Sequence, residues 1–78
     1  MSRWNIEDLT ALARVRSKSG LSREKAAVLM EISVRTLARY ENGDADVPMK
    51  IAEKMSELYK VPFEEIRQAV KDTTRATN

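Results

Sequence analysis

The feature that most constrains the fold is a pair of serines, Ser22 and Ser33, each of which can begin a short helix. A serine hydroxyl placed before a helix accepts a hydrogen bond from one of the free backbone N–H groups of the first turn. The residues that follow each serine have helical apolar spacing. The sequence therefore predicts helices over Arg23–Met30 and Val34–Glu41, joined only by the short segment Glu31–Ser33.

Two short helices with so tight a connection form a helix-turn-helix arrangement. The first helix carries Ala26, Ala27 and Met30 on one face, at the spacing of a buried stripe. The second places Leu37 toward the same core and ends before Gly43, a residue suited to a left-handed helix stop. The pattern predicts that both helices bury one side and leave the other side open.

The rest of the chain is predicted to add three helices and no sheet. Asn5 is a suitable N-cap for a first helix that ends near Lys18, and a fourth helix is expected over Pro48–Tyr59. Pro62 opens a last short helix. Residues 72–78 lack apolar periodicity, so we expect a flexible C-terminal tail after a domain formed by residues 1–71. The predicted fold is an all-α, compact five-helix domain.

The chain contains neither cysteine nor histidine. This composition removes disulfides, the usual structural zinc sites, the common nucleophile pairs and the commonest general base. We therefore predict that the protein is not an enzyme and that it holds no metal and no cofactor. No apolar run reaches the roughly 18 residues that a membrane span needs, which predicts a cytoplasmic protein with no membrane partner.

Charge is distributed unevenly, although the formal net charge is only +2. Between residues 14 and 39, seven basic side chains stand against two acidic ones; between residues 40 and 66, seven acidic side chains outnumber three basic ones. A basic surface attracts a polyanion such as nucleic acid. Alternating charges are also the ordinary pattern of solvated helix faces, so the choice between these interpretations depends on the helix-turn-helix.

The segment GLSREKAAVLMEISVRTLARYENG resembles the signature of the Cro and phage-repressor (XRE-type) helix-turn-helix family. Leu12, Val15 and Arg16 are similar to the family's first-helix pattern, and the stretch from Pro48 through IAEKMSELYKVPFEEI is similar to its fourth and fifth helices. The resemblance covers Ile6 to Ile66. It implies a lambda-repressor-like domain whose third helix enters the major groove of double-stranded DNA, usually as a homodimer on a palindromic operator.

The resemblance implies base contacts by Ser33, Val34, Arg35 and Arg39. Helical spacing agrees, because it places Arg35 and Arg39 together on the face opposite Leu37. Arginine can pair bidentately with guanine, and Val34 suits a thymine methyl group, so we expect guanines within each half-site. The competing interpretation is that both arginines are solvated or contact only phosphate.

Four further residues correspond to the positions where the family docks DNA phosphates. Ser22 and Arg23 lie at the start of the second helix, where free backbone N–H groups can bind a phosphate, and Asn42 and Gly43 resemble a second clamp. Each position also has a structural explanation, because Ser22 is a helix cap and Asn42–Gly43 is a helix stop.

Two other sets of residues are expected to have structural or assembly roles. Arg16 and Glu41 resemble a partly buried ion pair that ties the first helix to the third in this family. Phe63, Ile66 and Val70 lie on the last helix, where the family commonly dimerises. The alternative for these three apolar residues is packing within the monomer, because small domains use every apolar side chain.

The chain departs from the family pattern at the turn and on the second helix. Glu31 stands where glycine is usual, and a positive φ at a residue other than glycine costs roughly 1 kcal/mol. Val28 and Leu29 replace polar residues, while Ala26 replaces a larger apolar residue. Either Leu29 repacks into the space that Ala26 leaves, or Val28 and Leu29 form a patch that binds a protein partner.

Two functions from different classes therefore remain open. The leading prediction is a sequence-specific transcriptional regulator that binds operator DNA; the alternative is a protein-interaction module that keeps the fold without binding DNA. The residues do not distinguish repression by promoter occupation from activation through polymerase. They are equally compatible with a phage regulator, a restriction controller and an antitoxin.

Overall fold

The computed structural model describes residues 9–76, with side-chain burial described for residues 9–73. This part of the chain forms helices and connecting turns, with no strand among the described residues. The helices are α1 (Ala11–Lys18), α2 (Arg23–Met30), α3 (Val34–Asn42), α4 (Met49–Tyr59) and α5 (Phe63–Ala76). The predicted all-α fold with five helices is confirmed.

The helix-turn-helix forms as its caps predict. The Ser22 hydroxyl accepts the Lys25 N–H at 3.1 Å, and the Ser33 hydroxyl accepts the Thr36 N–H at 3.0 Å. Gly43 ends α3 in the left-handed conformation, with a φ of 81°. The two serines accept hydrogen bonds from backbone N–H groups that have no partner within the first turn of their helices. Gly43 provides the left-handed conformation in which the end of α3 can be satisfied.

One core cluster joins the helices. The buried stripe predicted on α2 is present, and Leu37 of α3 is fully buried against it. Pro48 precedes α4 at its N-cap, and the apolar face of α4 closes the other side of the core. The buried hydrophobic residues in this cluster are Leu12, Ala26, Ala27, Met30, Leu37, Ile51, Ala52, Met55, Tyr59, Ile66 and Ala69.

The first helix begins later than the sequence predicts. Asn5, the expected N-cap, lies outside the described residues, but neither Leu9 nor Thr10 is helical. Thr10 is the N-cap instead, and its hydroxyl accepts the Ala13 N–H at 3.2 Å. The prediction of a helix continuing through Leu9 is therefore wrong, because a nearer capping residue takes one of the unpaired N–H groups of the first turn.

The last helix is longer than the sequence predicts. It was expected to be short, with a tail from residue 72, yet α5 continues to Ala76. Thr73 is 1% exposed, and its hydroxyl oxygen accepts the Leu12 N–H at 2.9 Å. That N–H belongs to the first turn of α1 and has no partner within its own helix. A contact distant in sequence thus explains why polar residues after position 71 belong to the folded domain.

We expect Thr73→Val to lower the free energy of unfolding by about 1–3 kcal/mol, because it leaves the buried Leu12 N–H without an acceptor. Valine has nearly the shape of threonine, so the loss reports the hydrogen bond and not a cavity. Urea unfolding followed by circular dichroism measures the change. Thr73→Ser retains the acceptor and serves as the control; an equal loss in both variants would show that the hydroxyl is unimportant.

Two residues other than glycine end helices with a positive φ. Glu31 follows α2 with a φ of 62°, and Lys60 follows α4 with a φ of 60°. The left-handed conformation costs a side-chain-bearing residue roughly 1–2 kcal/mol. Glu31 carries a second disadvantage, because a carboxylate is unfavourable beside the negative end of a helix dipole, where a lysine is favourable.

Glu31→Gly is therefore expected to raise the free energy of unfolding by about 1 kcal/mol. Lys60→Gly relieves a similar backbone strain but removes a favourable charge, so it should stabilise the protein less. Urea unfolding of both variants provides the comparison. An equal or greater gain from Lys60→Gly would contradict the role assigned to the helix dipole.

Candidate nucleic-acid interface

The outward face of α3 presents cationic and apolar side chains. Arg35 and Arg39 are exposed, Val34 is 38% exposed, and Leu37 on the opposite face is fully buried. Four residues of helix span about 6 Å along its axis, so the two arginines lie about one helical turn apart. The structure therefore brings these three predicted base-contacting residues onto one accessible surface.

Ser33, the fourth predicted base contact, has partners within the protein. Besides accepting the Thr36 N–H, its hydroxyl donates to Thr36 Oγ1 at 2.9 Å. The same hydroxyl thus both caps α3 and orients a neighbouring side chain. The structure gives Ser33 a capping role at the start of α3.

The predicted phosphate-docking residues lie at two helix ends. Ser22 is exposed at the start of α2, where the first-turn N–H groups point outward. Asn42 is the exposed last residue of α3, and Gly43 is half-buried just after it. Arg23 departs from the simple expectation, because its side chain is only 36% exposed and is directed in part toward the protein.

Glu41 lies at the centre of a polar cluster that joins α1, α2 and α3. Its carboxylate accepts a hydrogen bond from Arg16 Nε at 2.6 Å and one from Arg23 Nε at 3.1 Å. The Glu41 side chain is 1% exposed and that of Arg16 is 12% exposed. The Arg16–Glu41 ion pair implied by the family resemblance is present, and Arg23 joins it from the start of α2.

Two hydrogen bonds to backbone carbonyls extend this cluster. Arg16 Nη1 donates to the Leu21 carbonyl at 2.7 Å, and the Thr10 hydroxyl donates to the Glu41 carbonyl at 2.6 Å. The C-terminal turn of α3 is therefore tied to the start of α1, to the loop before α2 and to α2 itself. These contacts determine the orientation of the helix that carries Arg35 and Arg39.

Sequence reasoning missed the contribution of Arg23 to this cluster. The available signal was the basic side chain at the first position of α2, beside a serine cap and across from Arg16. A buried carboxylate is stable only when its oxygens are well satisfied, so a second arginine was a reasonable partner for Glu41. Helical spacing alone could not predict the contact between Arg23 and Glu41, because Arg23 lies on α2 and Glu41 lies on α3.

Tyr59 closes the buried side of this region. Burial raises the pKa of its phenol well above the ordinary value, the Glu41 carboxylate raises it further, and Arg16 acts in the opposite direction. Among the described side chains, the Tyr59 hydroxyl is the buried polar group without a hydrogen-bond partner. The phenol therefore remains neutral within the pH range in which proteins function.

The predicted dimer-interface residues separate into two environments. Ile66 is fully buried in the monomer core, so its assignment to a dimer interface is wrong. Phe63 and Val70 are half-buried and line a surface groove of about 280 Å³ together with the 68% exposed Met49. Helical periodicity placed all three predicted residues on an apolar side of α5 but could not show which one faces inward.

Val28 and Leu29 project from the outer side of α2. They are 70% and 51% exposed, whereas Ala26 is fully buried. Leu29 therefore does not repack into the space beside Ala26, and that interpretation is wrong. The two side chains form an exposed apolar pair on α2, away from the outward face of α3 that carries Arg35 and Arg39.

Within the described residues, no group of acidic side chains is arranged to hold a metal ion. Over the same part of the chain, no helix is long and apolar enough to cross a membrane. The site presents the arginine side chains of α3 and the free backbone N–H groups at the start of α2 on an accessible surface. Such groups bind polyanions and can discriminate base edges.

A comparison with known protein families matches residues 11–66 to a family described as helix-turn-helix. The match covers more than two thirds of the chain and includes α1 through the first turn of α5. Comparisons with curated proteins and with solved structures gave no match. The family match and the geometry of α2 and α3 agree, and the chain belongs to the Cro and phage-repressor (XRE-type) helix-turn-helix family of DNA-binding regulators.

Proposed function

We propose that this protein is a sequence-specific transcriptional regulator that reads the major groove of double-stranded DNA with α3. The observation that carries the proposal is the joint exposure of Arg35 and Arg39 on a helix anchored by Glu41. A helix fits the major groove, where each base pair presents a distinct pattern of donors, acceptors and methyl groups. Anchoring matters because base-edge contacts depend on a well-defined side-chain position.

In this proposal Arg35 and Arg39 pair with guanine O6 and N7, and Val34 contacts a thymine methyl group. The exposed start of α2 at Ser22 binds one phosphate through backbone N–H groups. Arg23 uses its Nε on Glu41, which leaves the other guanidinium nitrogens for the same phosphate. Asn42 and Gly43 contact the backbone at the other end of α3.

We further propose that the protein binds a palindromic operator as a homodimer. The two copies contact each other through the groove lined by Met49, Phe63 and Val70. Arg67 and Lys71 stand on the rim of this groove, and the exposed acidic residues Asp44 and Asp46 precede α4. A two-fold interface places the same patch of each copy against the other. The rim cations of one copy can then meet the acidic loop of its partner.

Met49→Lys is expected to dissociate the dimer, because it puts an ammonium group among the apolar side chains that the interface would bury. Since Met49 is largely exposed, the monomer fold should be retained. Sedimentation equilibrium should show a change from dimer to monomer at micromolar concentration. Met49→Leu keeps the apolar surface and provides the control; a Met49→Lys protein that stays dimeric would place the interface elsewhere.

The remaining parts of the proposal concern how the protein acts. Occupation of a promoter is sufficient for repression, and this is the proposed mode of action. Repression by promoter occupation implies a cytoplasmic protein that is associated with the nucleoid. This mode of action requires no enzymatic activity. The exposed pair Val28 and Leu29 supports one alternative, a module that binds a protein partner in place of DNA.

Selection of duplexes from a random library by the purified protein tests the proposal against this alternative. We expect enrichment of a two-fold symmetric sequence with guanines in each half-site and half-site centres about 10 base pairs apart. Selection should be repeated at low and moderate salt, because phosphate contacts weaken as salt rises. Failure to enrich any duplex at low salt would favour the protein-interaction module.

A further inference from the structure

A second surface groove lies between the end of α2 and the middle of α4. It has a volume of about 390 Å³, larger than the groove assigned to the dimer. None of the residues proposed to contact bases or phosphates lines it. The residues that line the groove are Leu29, Met30, Glu31, Lys54, Glu57 and Leu58.

The groove offers two apolar contact points on facing helices. Leu29 projects from α2 with 51% of its surface exposed, and Leu58 of α4 is half-buried on the other side. Val28, which is 70% exposed, extends the apolar surface beyond the α2 edge. Apolar side chains on two helices with a channel between them fit the apolar face of a third helix.

The polar rim of this groove is acidic. Glu31 and Glu57 are exposed carboxylates, whereas the Lys54 ammonium donates to the Met30 carbonyl at 3.1 Å and caps the end of α2. Lys25, one helical turn before Leu29, is the nearest cation of α2 and lies toward the start of that helix. The lining residues thus carry two carboxylates and one ammonium, a net charge of −1. The ammonium is engaged by the end of α2, so the carboxylates of Glu31 and Glu57 are available to a cationic partner.

Glu31 supplies an independent observation in favour of a ligand. It occupies a left-handed backbone conformation, with a φ of 62°, at the negative end of the α2 dipole. Both features disfavour glutamate, and glycine would relieve both of them. A residue that is unfavourable for the fold and lies on a groove rim indicates a role in binding.

We propose that this groove binds a basic amphipathic helix of a partner protein. Apolar residues of that helix pack on Leu29 and Leu58, and its lysine or arginine side chains meet Glu31 and Glu57. The proposal goes beyond DNA binding, because it adds a second partner on another surface. Leu29 lies about 10 Å along α2 from the Ser22 cap, and the groove shares no residue with the proposed DNA contacts.

The test uses a synthetic helical peptide of leucine and lysine with one apolar face, and a matched peptide in which glutamate replaces each lysine. Fluorescence anisotropy measures the binding of each peptide to the full chain. We expect the lysine peptide to bind and the glutamate peptide to fail. Leu29→Ser should weaken the lysine peptide by about tenfold, whereas Gln68→Ser, a neutral change at an exposed residue outside the groove, should leave its affinity unchanged.

Charge reversal provides the second part of the test. Glu57→Lys should weaken the lysine peptide and strengthen the glutamate peptide, and both effects should shrink as salt increases. Binding of neither peptide, equal binding of both, or insensitivity to Leu29→Ser would overturn the proposal. Loss of self-association in Leu29→Ser would also overturn it, by assigning the groove to a second copy. DNA affinity, measured separately, distinguishes these failures from failure of the regulator proposal.

Discussion

Glu41→Ala is expected to lower the free energy of unfolding by about 3–5 kcal/mol, the cost of breaking a buried ion pair by removing one partner. The substitution leaves the Arg16 guanidinium, which is 12% exposed, without its carboxylate. Arg23 is more exposed and can turn toward water, so most of the loss comes from Arg16. Urea unfolding at neutral pH measures the change. This is the largest stability effect that we predict for a single polar side chain in the protein.

A matched control comes from an ion pair on the surface. Arg67 and Glu64 are 3.5 Å apart on α5, with the Glu64 side chain 83% exposed. Exposed pairs at this spacing contribute little, and Glu64→Ala should change stability by less than about 0.5 kcal/mol. If Glu41→Ala does not fold, the free energy of unfolding is measured on Glu41→Gln, which keeps an acceptor oxygen and removes only the charge. A Glu41 loss no larger than the Glu64 loss would show that the cluster does not anchor α3.

Arg35→Ala is expected to weaken binding to the selected operator by about 1–3 kcal/mol and to relax discrimination at one base pair. The reason is the loss of a bidentate contact to guanine, which no other group of the α3 surface can replace. Fluorescence anisotropy across single base-pair variants of the operator measures both effects. The wild-type protein should bind the four base pairs with different affinities at the position that Arg35 contacts, and the variant should bind them with similar affinities.

Arg35→Lys separates charge from bidentate geometry. Lysine keeps the positive charge but not the planar fork of donors, so this variant should lose discrimination while retaining the salt dependence of binding. If Arg35→Ala binds the operator as tightly as the wild-type protein, Arg35 does not contact a base. If Arg35→Ala weakens binding to every sequence equally and Arg35→Lys retains most of the affinity, Arg35 contacts phosphate alone.

Features determined by neighbouring residues could be predicted from the sequence. Ser22 and Ser33 cap helices through bonds to backbone groups three residues away, so their role follows from the local pattern. Glu31 stands where the resembled family usually has glycine, and the structure gives this residue a positive φ. The exposure of Arg35 and Arg39 follows from the burial of Leu37 through helical periodicity.

Features that depend on contacts between helices could not be predicted in this way. The sequence indicates that Thr73 belongs to a polar tail. The structure shows that its hydroxyl oxygen accepts a hydrogen bond from the Leu12 N–H, 61 residues earlier in the chain. The sequence suggested only a phosphate contact for Arg23, and its hydrogen bond to Glu41 adds a structural role that the sequence did not indicate. Ile66 and Phe63 are both apolar residues of α5, and only packing shows that the first is fully buried.

The central claim, that α3 reads the major groove, is tested most directly by methylation interference on the selected operator. Dimethyl sulfate methylates guanine N7 in the major groove and adenine N3 in the minor groove. We predict that methylation of guanines within each half-site prevents binding and that methylation of adenines does not. The Arg35→Ala variant should lose interference at one guanine in each half-site. Interference confined to adenine N3, with none at guanine N7, would contradict the account.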